Sequence, residues 1–352
     1  MKKVTLQDIA NSLGISRTTV WKVFSGHEGV SESLRARVVA KARELNYKFP
    51  PELAAALESE FSSDDSDCPT NIAVAVCRPE TSMFWMSILH NVAKELSVQN
   101  VNLVYTYLPS SISEDYTLPV QLTNGSTHGI IILNVYNPQL IELLAATSIP
   151  KVFLDTSTQM PLEKLNGDLL LMESRSCISR ITQQLIDQGR KRIGFIGDIH
   201  YAKSNCERYD GFAKTLASNH LSLIPELNLI GSIGADTYRE EIDAFLDTLP
   251  SLPDAYVCAS DHVACILIPL LQKRGYEIPN DIAISGFDGN LEYPLAENLT
   301  TVQVFNDDLG IRLATQILFR IKHPNARYEV TYVSSEVIFR NSTDCIDTVL
   351  ND

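Results

Sequence analysis

"LGISRTTVWKVFSG", Leu13 to Gly26, poses the first question, because a helix through Arg17–Ser25 puts a tryptophan on the same side as two cations. At about 100° per residue, Val20, Val23 and Phe24 cluster on one side, while Arg17, Thr18, Trp21, Lys22 and Ser25 fill an arc of roughly 140° on the other. A merely solvated face rarely carries an indole, since large apolar area in water is costly. A face that docks against a partner does. Arginine and lysine can meet phosphates or guanine edges, and hydroxyls can serve either. The other arrangement, Trp21 packed beneath the following loop, stays open at this level.

Upstream, Thr5 and Asp8 fit a capping box before "LQDIANSL", whose Leu6, Ile9, Ala10 and Leu13 share one side of a helix. Gly14 suits a left-handed helix stop, and Ser16 can cap the second helix. Only Gly14 and Ile15 separate the two, the short glycine-containing connection of a helix-turn-helix. Downstream, "VSESLRARVVAKARELNY" opens at a Ser31 cap and repeats Leu34, Val38, Ala42 and Leu45, which predicts a third helix closing a small core. Arg35, Arg37, Lys41 and Arg43 lie on or beside its outer surface, where solvation alone is a sufficient reading.

Charge is divided unevenly along the chain. Residues 1–50 hold nine Lys/Arg against four Asp/Glu, and the rest hold twenty against thirty-nine, for a net −14 over 352 residues. A small basic module on a large acidic body can have different partners at its two ends. No apolar run approaches the roughly 18 residues of a membrane span, and "MKKVTLQDIANSL" has no signal-peptide core, so a cytoplasmic protein is expected. The seven cysteines include no C-x-x-C and read as reduced residues.

Together the first residues resemble the headpiece of the lac-repressor (LacI/GalR) transcription factors. From Val4 to Tyr47 the match runs without a gap: the V-T-L-x-D-I-A opening, the G-I-S turn, T-V followed by a basic residue, the V-S-E step and the E-L-x-Y close. The resemblance implies that Arg17, Thr18 and Lys22 read bases, with Ser25 on the same face. It implies that Thr5, Ser16 and Ser31 hold phosphates; Leu6 is a further candidate for DNA contact. Trp21 replaces a residue that is usually small and polar in the family, so its contact is not carried over. The hinge departs too. "YKFPPELAAALESEF" offers Leu57 as the minor-groove wedge, one residue later than the family pattern, with Ala55 where a basic residue is usual. An acidic linker, "SSDDSDCPT", follows.

From residue 71 the pattern becomes strands alternating with helices. "NIAVAV", "NLVYTYL", "HGIIIL" and "KVFLD" read as buried strands, and "MSILHNVAKEL" and "PQLIELLAAT" as helices. A second series follows, with strands "RIGFIGD", "AYVCAS" and "DIAISGFD" and helices "SCISRITQQLIDQG", "YDGFAKTLASN" and "HVACILIPLLQKRG". Two βα series predict two doubly wound parallel sheets with a ligand cleft at their strand ends. The predicted fold class is therefore α/β: a three-helix headpiece plus a two-subdomain core. The expected boundaries are 1–49 for the headpiece, 50–70 for the hinge and linker, and 71–352 for an effector-binding and dimerisation core. Within the core, subdomain one takes about 71–160 plus 305–325 and subdomain two about 161–300 plus 326–345.

The core is similar to that of the same family, which is of the type I periplasmic-binding-protein kind. "HGIIIL", "IPKVFLD", "LIDQGRKRIGFIG", "ERYDGF", "DIAISGFD" and "LTTVQVFNDDLG" carry the likeness. It implies effector contacts at Arg208 and Asp288, a cation and a carboxylate able to fix a sugar or other small metabolite. Asp155, Ser260 and Asp261 follow other strands and are second-rank candidates, as are Phe84 and Trp85, for which a core role is at least as reasonable. Departures occur at Glu173-Ser174, where the family usually has D-N, and in "GRKR" and "VQVFN".

No dinucleotide, Walker, G-x-S-x-G or H-E-x-x-H motif is present, and no metal-spaced Cys/His cluster. Asp261 and His262 are adjacent on a helix and do not face each other. The expectation is thus a ligand-controlled, homodimeric repressor of a near-palindromic double-stranded operator, with no enzyme activity, cofactor, metal or membrane partner. The rival is a cytosolic small-molecule binding protein whose altered hinge has weakened its DNA role.

Overall fold

The headpiece folds on signals contained in its own sequence. Its helices are α1 (Leu6–Leu13), α2 (Arg17–Phe24) and α3 (Glu32–Glu44). Thr5 donates to Asp8 Oδ2 from both Oγ1, at 2.7 Å, and its backbone N–H, at 2.8 Å, which satisfies the start of α1. Gly14 ends α1 at φ +67°, where a residue with a Cβ would be strained. Ser16 Oγ accepts the Thr19 N–H at 3.0 Å and caps α2. Ile9, Ala10, Val20, Val23, Val38, Val39 and Ala42 form the buried centre. Arg35, read as solvating, instead donates to the Val23 carbonyl at 3.2 Å and so ties α3 to the end of α2.

This computed structural model describes residues 4–25, 30, 32–45, 47, 70–77, 83–234, 237–289 and 296–344. The expected Ser31 cap and the hinge with Leu57 lie outside the described residues. The chain divides into two units, Met1–Pro69 and Thr70–Asp352.

The second unit contains β1 (Asn71–Val76), α4 (Met83–Val98), β2 (Asn102–Tyr107), β3 (Gly129–Leu133), α5 (Pro138–Ala146), β4 (Lys151–Leu154) and β5 (Asp168–Met172). It continues with α6 (Arg175–Asp187), β6 (Ile193–Ile196), α7 (Lys203–Ser218), α8 (Tyr238–Asp247), β7 (Ala255–Cys258), α9 (Asp261–Lys273) and β8 (Ala283–Ser285). Last come β9 (Thr301–Gln303), α10 (Asn306–Lys322), β10 (Val330–Val333) and β11 (Glu336–Ile338). One parallel sheet has the order β10-β5-β4-β3-β1-β2, a second β6-β7-β8, and β9 pairs antiparallel with β11.

Both faces of the first sheet are covered along its central strands β1, β3, β4 and β5, which is why these read as apolar runs. Along β1, Ile72, Val74 and Val76 enter one apolar cluster and Ala73 and Ala75 another. The first of these clusters reaches Phe195 and Val257 of the second sheet, so the two halves of the core share packed apolar side chains.

The first sheet is larger than the sequence reading allows. Residues 161–300 and 326–345 are there assigned to subdomain two, yet β5 and β10 extend the first sheet. A buried ion pair ties these strands to α10. Asp168, which opens β5, accepts from Arg320 of α10 at 2.9 and 2.6 Å, from Gln316 at 3.0 Å and from the Glu329 N–H at 2.8 Å. Charges this deeply buried require such full hydrogen bonding, and meeting that need fastens β5 and the approach to β10 onto α10. Among the described residues no helix is long and apolar enough to cross a membrane. The described cysteines Cys177, Cys206, Cys258 and Cys265 are free thiols.

Candidate functional site

The headpiece presents one face. Arg17, Thr18, Lys22 and Ser25 of α2 are exposed, and Trp21 between them is 47% exposed, while Val20 and Val23 on the opposite side are buried. Phe24 stacks on Tyr47 at 5.5 Å between ring centroids. Thr5 and Ser16 are exposed as well, but both are engaged as helix caps. Leu6 is half-buried and packs against the headpiece core, so its apolar side is committed inward.

In the core, Arg208 is the centre of a second group. It lies on α7, 4% exposed, with its guanidinium carbon 3.6 Å from the Phe287 ring centroid. Its Nη1 donates to the Ala259 carbonyl at 2.5 Å and to Asn205 Oδ1 at 3.3 Å, and its Nη2 is 3.7 Å from Asp288 Oδ1. Among the described residues its buried Nε has no hydrogen-bond partner. Asp288 follows β8 at φ +117°, a conformation that costs a non-glycine residue about 1–3 kcal/mol and recurs at functional sites. Burial pushes its carboxyl up to about 7, with Arg208 opposing the rise and Asp261 adding to it. A cation and a carboxylate joined this loosely can exchange part of their contact for a polar ligand.

Asp261 and Ser260 are placed beside this group but carry structural duties. Asp261 Oδ1 accepts from Thr301 Oγ1 at 2.6 Å, and its N–H donates to the Phe287 carbonyl at 2.7 Å. Gly286 makes that approach possible, since a Cβ there would stand 2.2 Å from Asp261 Oδ1. Ser260 Oγ accepts the Val263 N–H at 3.3 Å and caps α9.

Asp155 follows β4 at φ +64° and is 2% exposed. Its Oδ1 accepts from the N–H groups of Thr156 at 2.8 Å and Ser204 at 3.2 Å, and its Oδ2 from Ser204 Oγ at 2.6 Å and Tyr136 OH at 3.2 Å. Burial raises its pKa, while the bonds from Ser204 and Thr156 and the nearby Arg208 hold it down. The Tyr136 ring meets Tyr201 edge-on at 4.9 Å. Tyr136, Tyr201, Ser204, Asn205 and Phe287 escape the sequence reading. The residues just past each parallel strand are a signal that would have found Tyr136 and Phe287.

Phe84 and Trp85 do not join the Arg208 group. Phe84 is buried in the core cluster and meets Trp85 edge-on at 5.2 Å. Trp85 lines a separate, open and mostly apolar depression with Val76, Met86, Leu89, Tyr105, Leu133 and Asn134. Two of the departures from the family pattern have structural roles. Glu173 caps α6 by accepting from Ser176 N–H and Oγ at 2.9 and 2.6 Å. Arg190 of "GRKR" donates to the carbonyls of Asp254 and Pro279 at 2.6 and 2.7 Å.

Known proteins resemble the chain along its whole length. The family model "Bacterial regulatory proteins, lacI family" matches residues 5–49, and "Periplasmic binding protein-like domain" matches 182–343. The HTH-type transcriptional repressor PurR of Mannheimia succiniciproducens is 25% identical over 341 residues, covering 96% of this chain and 98% of that protein. Catabolite control protein A of Staphylococcus aureus is 25% identical, covering 92% and 95%. Among solved structures, the lac repressor dimer bound to operator and the anti-inducer ONPF superposes with a TM-score of 0.67 at 22% identity, covering 97% of this chain and 99% of that one. The regulator CelR in complex with cellobiose gives 0.67 at 20% identity, covering 97% and 100%. The two family models fall on the helix-turn-helix and on the core that carries Arg208 and Asp288: the chain joins a DNA-binding headpiece of the lacI type to a periplasmic-binding-protein-like domain.

Proposed function

We propose that the protein is a cytoplasmic transcriptional repressor that binds operator DNA as a homodimer and is controlled by a small molecule held at Arg208 and Asp288. The exposed face of α2 carries this reading. Arg17, Thr18 and Lys22 stand outward on a helix whose opposite side closes the headpiece core, the placement that puts a recognition helix into the major groove. Thr5 and Ser16 fit phosphate contacts at the helix starts. Two headpieces related by a dimer twofold would read the halves of a near-palindromic site.

Control of DNA binding follows only if the ligand binds the DNA-competent and incompetent states with different affinity. Asp288 follows β8, whereas Arg208 lies on α7, whose first turn is bonded to Asp155 of the first sheet. A ligand that changes the Arg208–Asp288 contact therefore acts on a helix held by both halves of the core. Relatives bound to cellobiose and ribose make saccharides the first class to try. Asp155, Ser260 and Asp261 support the site from behind, and no enzymatic step is assigned to any of these residues.

The test is selection of bound duplexes from a random DNA library by the full-length protein at several salt concentrations, followed by a thermal-shift screen with cellobiose and ribose. A near-palindromic consensus with a clear specificity ratio is expected. Salt-sensitive binding without a consensus would refute the repressor reading and favour a ligand-binding protein with a weakened headpiece.

A further inference from the structure

We propose that Trp21 contacts the 5-methyl group of a thymine in the major groove and thereby sets base preference at one position of each half-site. The proposal rests on the DNA-binding reading above. Trp21 lies in the middle of the outward face of α2, one turn beyond Arg17 and Thr18 and one turn before Ser25, with Lys22 beside it. It is 47% exposed, although the headpiece has an apolar core in which Val20 and Val23 of the same helix are 0% and 2% exposed. Phe24 and Tyr47 supply the ring packing of that core. The indole is thus set on the side that carries the cations and hydroxyls.

The chemistry of the groove narrows what an indole there can read. Base edges in the major groove present donors and acceptors, which the neighbouring Arg17, Thr18 and Lys22 can pair, and a single apolar group, the thymine methyl. Indole has one N–H donor and no acceptor, so it reads a hydrogen-bond pattern poorly, but it offers a flat apolar surface to a methyl. Covering one methyl or methylene group favours binding by about fourfold in affinity per half-site. Cytosine lacks that group, as does uracil; 5-methylcytosine restores it.

The experiment uses the full-length protein and the duplex recovered by selection. Each thymine is replaced in turn by uracil, and in a second set each cytosine by 5-methylcytosine, with affinity read by anisotropy at fixed salt. One thymine per half-site is expected to lose about fourfold on demethylation in the wild type. The loss should persist in Trp21→Phe and vanish in Trp21→Ser, which should still bind with the same salt dependence. With a C·G pair substituted at that position, cytosine should gain on 5-methylation only when an aromatic residue is present. A preferred site whose uracil scan is flat, or a uracil penalty that Trp21→Ser retains, would overturn this proposal alone. Recovery of no preferred site by the wild type would overturn the DNA-binding reading beneath it.

Discussion

Ser204 Oγ, in the first turn of α7, donates a 2.6 Å hydrogen bond to Asp155 Oδ2 at the end of a first-sheet strand. The Ser204 N–H reaches the other oxygen of the same carboxyl at 3.2 Å. The residue at the formal N-cap, Ala202, has no side chain able to cap, so a carboxylate 49 positions upstream of Ser204 takes that role. The helix that carries Arg208 is in this way started by one half of the core and used by the other.

Loss of this bond should loosen the start of α7. Ser204→Ala is expected to cost about 1–2 kcal/mol and Asp155→Asn about 2–3 kcal/mol, as for buried hydrogen bonds to a charged group. Urea unfolding reads the stability, and amide hydrogen exchange over residues 203–206 reads the helix start. Unchanged exchange there in both variants would remove the capping role.

Asp288 should make stability depend on pH. Its folded-state pKa, about 7, is above the unfolded carboxylate value, so the native state holds a proton that the unfolded state releases. That contribution is fully present below about pH 4 and is lost as pH rises through about 7. Relative to Asp288→Asn, which cannot titrate, the wild type should lose stability between those limits. Parallel denaturant curves at three pH values across that range provide the check, and a pH-independent difference would contradict the assignment.

Arg208→Ala should separate the two functions. DNA affinity is expected to stay near wild type, while the thermal shift produced by a cognate saccharide falls away, with affinity weakened at least about tenfold for loss of a charged hydrogen-bond donor. A variant that responds to the saccharide as the wild type does would move the effector site elsewhere.

In the headpiece, Arg17→Ala and Lys22→Ala should relax base preference, whereas Thr5→Ala should weaken binding to all sites alike. Thr5 also bonds to Asp8, so its loss should destabilise α1 by about 1 kcal/mol. Competition binding on matched and mismatched duplexes distinguishes these outcomes. A uniform loss in all three variants would sink the base-reading assignment.

The headpiece was legible in the sequence because its instructions are local. The Thr5–Asp8 pair, Gly14 and Ser16 act on neighbours a few residues away, and α1 begins and ends, and α2 begins, where those residues predict. β1, β3 and β4 were legible for a different reason: a strand covered on both faces is apolar along almost its whole length, and such runs need no knowledge of their partners. Arg208 and Asp288 could be named through family resemblance, but their loose pairing and the Phe287 ring beneath the guanidinium could not.

Long-range contacts decided the rest. "YDGFAKTLASN" shows helical periodicity only from Tyr209, yet α7 begins at Lys203, because its cap comes from Asp155 across the core. β10 is an edge strand with Val330 and Tyr332 exposed, a pattern too weak to read alone, and it is held in register by β5 and by the Asp168–Arg320 pair. Phe84 and Trp85, second-rank candidates in the sequence, were separated from Arg208 by the packing of α4 on the first sheet. A cap, a turn or a buried strand is specified by residues adjacent in the chain. Which strand end meets which helix is set by burial and hydrogen bonding between segments far apart, and only the folded chain brings them together.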